Sequence, residues 1–171
     1  MKRQLVTWRD VEHQVQEILR QMQRDQWMPD YVVGLTRGGL VPANMISQYL
    51  DIPMHTLKVN LRDHAYTESN LWMSEDAFGA NDYEGKNILI VDDINDTGAT
   101  LNWIKQDWQA SCLPDDERWA SDVWGQNVRV AVLYDNESSK SDLTADYSAV
   151  TINKAEEDVW IDFPWESWWT R

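Results

Sequence analysis

The stretch from Asn87 to Thr100 constrains this chain more than any other. Asn87-Ile88-Leu89-Ile90-Val91 is an apolar, β-branched run, and it ends abruptly in Asp92-Asp93-Ile94-Asn95. A run of that kind bounded by polar residues predicts a buried strand. The small-residue turn that follows, Asp96-Thr97-Gly98-Ala99-Thr100, opens a helix. Such a turn offers closely spaced backbone amides where the orphan N–H groups and the macrodipole of the helix favour an anion. Asp92 and Asp93, just before it, can accept hydrogen bonds from vicinal hydroxyls. A phosphate cradle beside a diol clamp is what a ribose 5-phosphate group needs.

Alternation extends this local reading to the whole chain. Thr7, with Asp10 three residues later, caps a helix over about residues 8–26, whose apolar face is Val11, Val15, Ile18, Leu19 and Met22. Tyr31 to Leu35 is a short buried strand, and Thr36-Arg37-Gly38-Gly39 is a tight turn. Leu40 to Leu50 is the next helix, with Pro42 in its first turn, and Met54 to Val59 a third element, read as a strand. Residues 60–82 lack clean periodicity, and a polar segment of that length predicts a lid, a binding loop or a disordered stretch. Gly85 opens the strand that ends in the two aspartates, and Gly98 to Ala110 is its helix. After an irregular stretch over 111–126, Val128–Leu133, Tyr147–Ile152 and Val159–Phe163 are further apolar segments. Strands alternating with helices predict an α/β fold: an open, mainly parallel twisted sheet flanked by helices on both faces.

The 15 Lys and Arg against 29 Asp and Glu leave a formal charge of −14. That balance argues against nucleic acid as a partner, since phosphate contacts there depend on Lys and Arg. A small anion is still compatible with it, because local amides, Arg37 and a metal ion outweigh the global field. Cys112 is the single cysteine, which excludes an internal disulfide framework. No apolar run approaches the length of about 18 residues that spans a membrane, and Met1 to Thr7 lacks a secretory apolar stretch. A cytoplasmic protein of one domain, residues 1–171, is the expectation. His13, His55 and His64 lack metal-ligand spacing. The 11 Trp residues, clustered at Trp103, Trp108, Trp119 and Trp124 and again at Trp165, Trp168 and Trp169, exceed what one small core hides. Clustered surface aromatics imply self-association as a homo-oligomer, a dimer or tetramer.

Val91-Asp92-Asp93-Ile94-Asn95-Asp96-Thr97-Gly98-Ala99-Thr100 resembles the phosphoribosyl-pyrophosphate (PRPP) signature of type I phosphoribosyltransferases: apolar residues, two acidic ones, two variable ones, then Asp-Thr-Gly-x-Thr. An ordinary capped strand–turn–helix joint would account for Asp96 and Gly98 but not for this order of three Asp and two Thr. The resemblance implies that Asp96, Thr97, Gly98, Ala99 and Thr100 bind the 5′-phosphate and that Asp92 and Asp93 hold the ribose. It also places Mg²⁺ beside Asp93 and Asp92. Thr36, Arg37, Gly38 and Gly39 then correspond to the pyrophosphate loop, in which several members carry a non-proline cis peptide, here between Thr36 and Arg37. Independently, two glycines let amides converge on an anion, and Arg37 adds a bidentate charge.

The segment Asp158 to Glu166 is similar to the base-binding end of the xanthine-guanine branch, in which an aromatic residue stacks on the purine. That similarity assigns the base to Trp160, Ile161 and Asp162, an indole face being an edge-tolerant grip on a heterocycle. The branch also places a Lys after the fourth strand to read the 6-oxo group. Here Tyr134-Asp135-Asn136-Glu137 stands there, and Asn136 most nearly fills the position. Asn both donates and accepts, so a 6-amino or other base becomes compatible, unless Lys140 folds back into the role. The implied architecture is a core of about residues 27–152 and a small hood from the N- and C-terminal pieces, including 153–171. The implied reaction transfers the 5-phosphoribosyl group of PRPP to a base, a purine being the expected acceptor, and releases pyrophosphate, with Asp96 as the catalytic group managing a ring proton. A PRPP-sensing regulator or a non-purine acceptor is the alternative.

Overall fold

The computed structural model describes residues 1–59, 61, 71–80 and 84–171. In chain order the elements are β1 (Lys2–Leu5), α1 (Trp8–Arg24), β2 (Tyr31–Thr36), α2 (Leu40–Leu50), β3 (Met54–Lys58), α3 (Leu71–Phe78), β4 (Ile88–Asn95), α4 (Ala99–Ser111), β5 (Val128–Asn136), β6 (Tyr147–Ile152) and β7 (Val159–Asp162). Five strands form one sheet in the order β3-β2-β4-β5-β6, and every pairing in it is parallel. The expected open parallel sheet is therefore present.

Both faces of this sheet are covered, as strands without a polar face require. Ile88 and Ile90 of β4, with Val130 and Val132 of β5, pack on one side among residues of α3 and α4. Leu89, Val91, Ala131 and Leu133 point the other way, into a core closed by α1 and α2. The first cluster absorbs the central tryptophans. Trp108 and Trp119 are fully buried, and Trp119 stacks on Trp124 at 5.7 Å. The apparent excess of Trp is thus partly core; Trp168 and Trp169, at the other end, are exposed.

Local chemistry sets the element ends. Thr7 Oγ1 accepts from the Asp10 amide and Asp10 Oδ2 from the Thr7 amide, the reciprocal cap that starts α1. Two elements differ from expectation. Part of the irregular segment at 60–82 lies outside the described residues, but Leu71–Phe78 is helical, with Met73, Ala77 and Phe78 in the core. Its pattern is masked by Ser74, buried because its hydroxyl donates to the Trp108 carbonyl. Lys2–Leu5 is also a strand, pairing in parallel with β7 as a separate two-stranded sheet. All four of its residues are exposed, so no burial period marked it. No described helix is long and apolar enough to cross a membrane.

Candidate active site

A parallel sheet gathers the carboxyl ends of its strands at one edge, the edge at which open α/β folds bind ligands. Here that edge collects Thr36 from β2, Asp92 to Asn95 from β4, Asn136 from β5 and the turn after β6. Residues far apart in sequence thereby become neighbours.

The signature turn has the anticipated form. Gly98 adopts φ 90° directly before α4, a conformation that side-chain-bearing residues rarely take. A Cβ at Gly98 would run into Ser139 and Ser141, so the close approach here is by the β5–β6 loop. That loop folds back through the Lys140 amide, which donates to the Thr97 carbonyl at 2.9 Å, while the Lys140 side chain stays exposed. The turn and the carboxylates line a hollow of about 240 Å³. Of the first-turn amides of α4, which have no intrahelical partners, that of Ala99 donates to Thr97 Oγ1 at 3.3 Å.

Asp92 and Asp93 lie side by side. The Asp93 amide donates to Asp92 Oδ1 at 2.9 Å, and the Ile94 amide donates to Asp93 Oδ1 at 2.7 Å. Burial, then the neighbouring charge of Asp93, pushes the Asp92 carboxyl well above its ordinary value. Asp93 is raised too, again first by burial. Two buried like charges favour a cation between or beside them.

Asp93 also faces a larger cavity of about 780 Å³, shared with Arg37, Gly38, Trp160, Glu166 and Trp169. The Thr36–Arg37 peptide bond is cis. Glu166, in the wall of this cavity, has its carboxyl raised by burial and then by Asp93. Trp160 is 44% exposed on β7, a large aromatic surface left open to the cavity. Asp162 is tied to Arg171 at 3.3 Å and Arg3 at 3.6 Å, its carbonyl accepts from the Val6 amide and from Arg171 Nη2, each at 2.9 Å, and Ile161 is buried.

Asn136 sits differently from expectation. It is 5% exposed, and its amide group is committed inside the protein. Nδ2 donates to the Asp96 carbonyl at 2.9 Å, while Oδ1 accepts from Ser138 and from the Lys154 amide at 2.9 Å. The residue that does reach the edge is Lys154, whose Nζ lies 2.9 Å from Asp96 Oδ2. Sequence reading missed Lys154; the available signal was its position just past the carboxyl end of a strand. Of the histidines, His55 packs edge-on against Tyr31 and Trp72, each at 5.0 Å, while His64 lies outside the described residues.

Residues 2–168 match the phosphoribosyl transferase domain. The chain belongs to that family. This phosphoribosyltransferase is 27% identical over 166 residues to the xanthine-guanine phosphoribosyltransferase of Idiomarina loihiensis, covering 94% of this chain and 85% of that one. Its fold is similar to that of a purine phosphoribosyltransferase from Pyrococcus horikoshii, with a TM-score of 0.66 and 23% identity over 98% of this chain and 96% of that one. A xanthine-guanine-hypoxanthine phosphoribosyltransferase of Helicobacter pylori has a TM-score of 0.67 at 19% identity, covering 98% and 96%.

Proposed function

We propose that this phosphoribosyltransferase moves the 5-phosphoribosyl group of PRPP to a ring nitrogen of a purine, releasing pyrophosphate. The observation that carries the reading is the place of Asp93, which lines both the hollow at the signature turn and the cavity of Arg37 and Trp160. A ribose held there has its 5′-phosphate in the first and its leaving group and acceptor in the second.

Each residue then has a task. The amides of Thr97 to Thr100 and the start of α4 take the 5′-phosphate, as helix N-termini do. Asp92 and Asp93 hold the ribose hydroxyls while the ring flattens toward a cationic transition state. Arg37 and the amides of Thr36, Gly38 and Gly39 meet the departing pyrophosphate. Trp160 stacks on the base, and the backbone of Ile161 and Asp162 reads its edge. Asp96 faces the reacting ring nitrogen and manages its proton. We assign Asn136 the role of brace rather than reader, since its amide is already bonded to Asp96 and Lys154.

The raised Asp92 and Asp93 carboxyls fit a divalent cation. Mg²⁺ held there with the pyrophosphate oxygens would neutralise the leaving group. Among the described residues no group of three or more His, Cys, Asp or Glu could hold a metal ion. The two-stranded sheet of β1 and β7 serves as the hood. A cytoplasmic home and a homo-oligomer associating through the exposed Trp8, Trp168 and Trp169 complete the reading.

The test is pyrophosphate release from PRPP, in Mg²⁺, across a panel of bases. Release dependent on a purine is the expected result, and PRPP binding without release under any base would instead mark a sensor.

A further inference from the structure

We propose that Asn102 is a positioning residue for the 5′-phosphate, acting through the β5–β6 loop to aim the Thr97 and Gly98 amides into the hollow. The inference deepens the phosphoribosyl-transfer reading above and rests on it. Asn102 lies at the start of α4, one turn on from Gly98, and its backbone amide donates to the Gly98 carbonyl at 3.0 Å. Its side chain clasps the β5–β6 loop with both ends of its amide group. Nδ2 donates to the Lys140 carbonyl at 2.9 Å, and Oδ1 accepts from the Asp142 amide at 2.7 Å. The loop has little else to hold it there. Residues 137–142 are exposed or half-buried and polar, and the chain returns to the core only at Leu143.

The clasped loop in turn holds the signature turn. The Lys140 amide donates to the Thr97 carbonyl at 2.9 Å, and Asn136 Nδ2, at the end of β5, donates to the Asp96 carbonyl at 2.9 Å. Ser139 Oγ adds a bond to Asn95 Oδ1 at 3.1 Å. In a planar trans peptide the carbonyl oxygen and the following N–H point to opposite sides. Among the described residues Thr36–Arg37 is the one cis bond, so the rule holds at this turn. With the Asp96 and Thr97 carbonyls tied to β5 and its loop, the amides of Thr97 and Gly98 face the other way. The hollow lies on that side: its lining runs from Asp92 to Leu101 with Val132 and takes in no residue of the loop. Two successive amides aimed at one point make a nest for an anion. Gly98 makes the lock necessary. At φ 90° and ψ −3° the residue has no Cβ to oppose turning over the peptide before it. A flipped Thr97–Gly98 peptide would set a carbonyl oxygen against the phosphate.

The experiment titrates ribose 5-phosphate and, separately, pyrophosphate with Mg²⁺ into wild type, Asn102→Ala and Asn102→Leu, and follows amide hydrogen exchange by NMR. Alanine and leucine both delete the clasp without adding charge, and both are good helix formers, so α4 keeps its backbone. A thermal melt checks each variant, and one folded variant is enough. The dissociation constant for ribose 5-phosphate should rise about threefold to tenfold, the scale of a lost hydrogen bond. That for pyrophosphate should stay the same. The Lys140 amide should exchange faster in the variants, with the amides of β4 unchanged. Weakening of both ligands in step, or failure of both variants to fold, would overturn the proposal and mark Asn102 as a stabiliser of the fold at large. Unchanged ribose 5-phosphate affinity would overturn it too, as would a loss of affinity with Lys140 exchange unaltered. If wild type releases pyrophosphate from PRPP but binds no ribose 5-phosphate, the inference falls and the transfer reading stands. Absence of both would overturn the transfer reading as well.

Discussion

Gly38 packs so closely on Asp93 that a Cβ on the glycine would overlap the Asp93 carboxylate. The loop that follows β2 and the acidic end of β4 are thus fitted to each other by the absence of one carbon. Gly38→Ala should displace the Asp93 carboxylate, with little effect on the buried cores. PRPP affinity measured by calorimetry should fall at least as far as on losing one charge-assisted bond, about 1.5–3 kcal/mol. The double-mutant cycle with Asp93→Ala is diagnostic: once Asp93 is trimmed, Gly38→Ala should cost little more. Additive losses would show that the alanine acts elsewhere.

Asp92 and Asp93 predict opposite effects on binding and on stability. Replacing both by Asn removes contacts to the ribose hydroxyls and Mg²⁺, so PRPP affinity should drop by orders of magnitude. The ligand-free protein should nonetheless melt higher at neutral pH. Both carboxyls are raised by burial, so the folded state binds protons more tightly than the unfolded one. Stability from them is present below their unfolded value, near about 4, and is lost as pH rises through the raised folded values. The Asn variant's advantage in melting temperature should therefore be absent near pH 4, grow as pH rises, and shrink when Mg²⁺ and PRPP stabilise the wild type. Scanning calorimetry across pH checks each part.

Much of the fold was legible because its signals are local. The Thr7–Asp10 cap, the bounds of α2 at Leu40 and Leu50, and the apolar run ending at Asp92 each depend on neighbours in sequence. What escaped depends on partners that sequence does not print. β1 is an exposed strand held by backbone pairing to β7, so Lys2 to Leu5 carry no hydrophobic period. α3 buries Ser74 because a distant carbonyl, that of Trp108, accepts its hydroxyl. In the site, the glycine-rich loops announced themselves by composition. Lys154 did not, since a lone lysine in a polar turn acquires meaning only when parallel strands bring its turn beside Asp96.

Arg37 lies on the leaving-group side of the proposed site, away from the amides that receive the 5′-phosphate. Arg37→Ala should therefore weaken PRPP and pyrophosphate by about 1.5–3 kcal/mol, the worth of hydrogen bonds to a charged group. A nucleoside monophosphate, which has no pyrophosphate, should bind nearly as before. Isothermal titration of the three ligands against both proteins separates the two anion sites, and equal weakening of monophosphate and pyrophosphate would show that they have been exchanged.

Trp160 offers an open indole face on the cavity that also contains Arg37 and Asp93. Stacking on a base is worth about 1–3 kcal/mol by alanine substitution. Trp160→Ala should therefore cost that much base affinity, with PRPP binding largely retained because the ribose and phosphate contacts lie on other strands. The effect should be similar for hypoxanthine and adenine, since both present a π face. Base addition should also quench tryptophan fluorescence in the wild type, and less so in Trp160→Phe, which keeps a stacking surface but removes the reporting indole. Quenching of equal size in both proteins would move the base to another tryptophan on the same cavity, Trp169 being the more exposed one there.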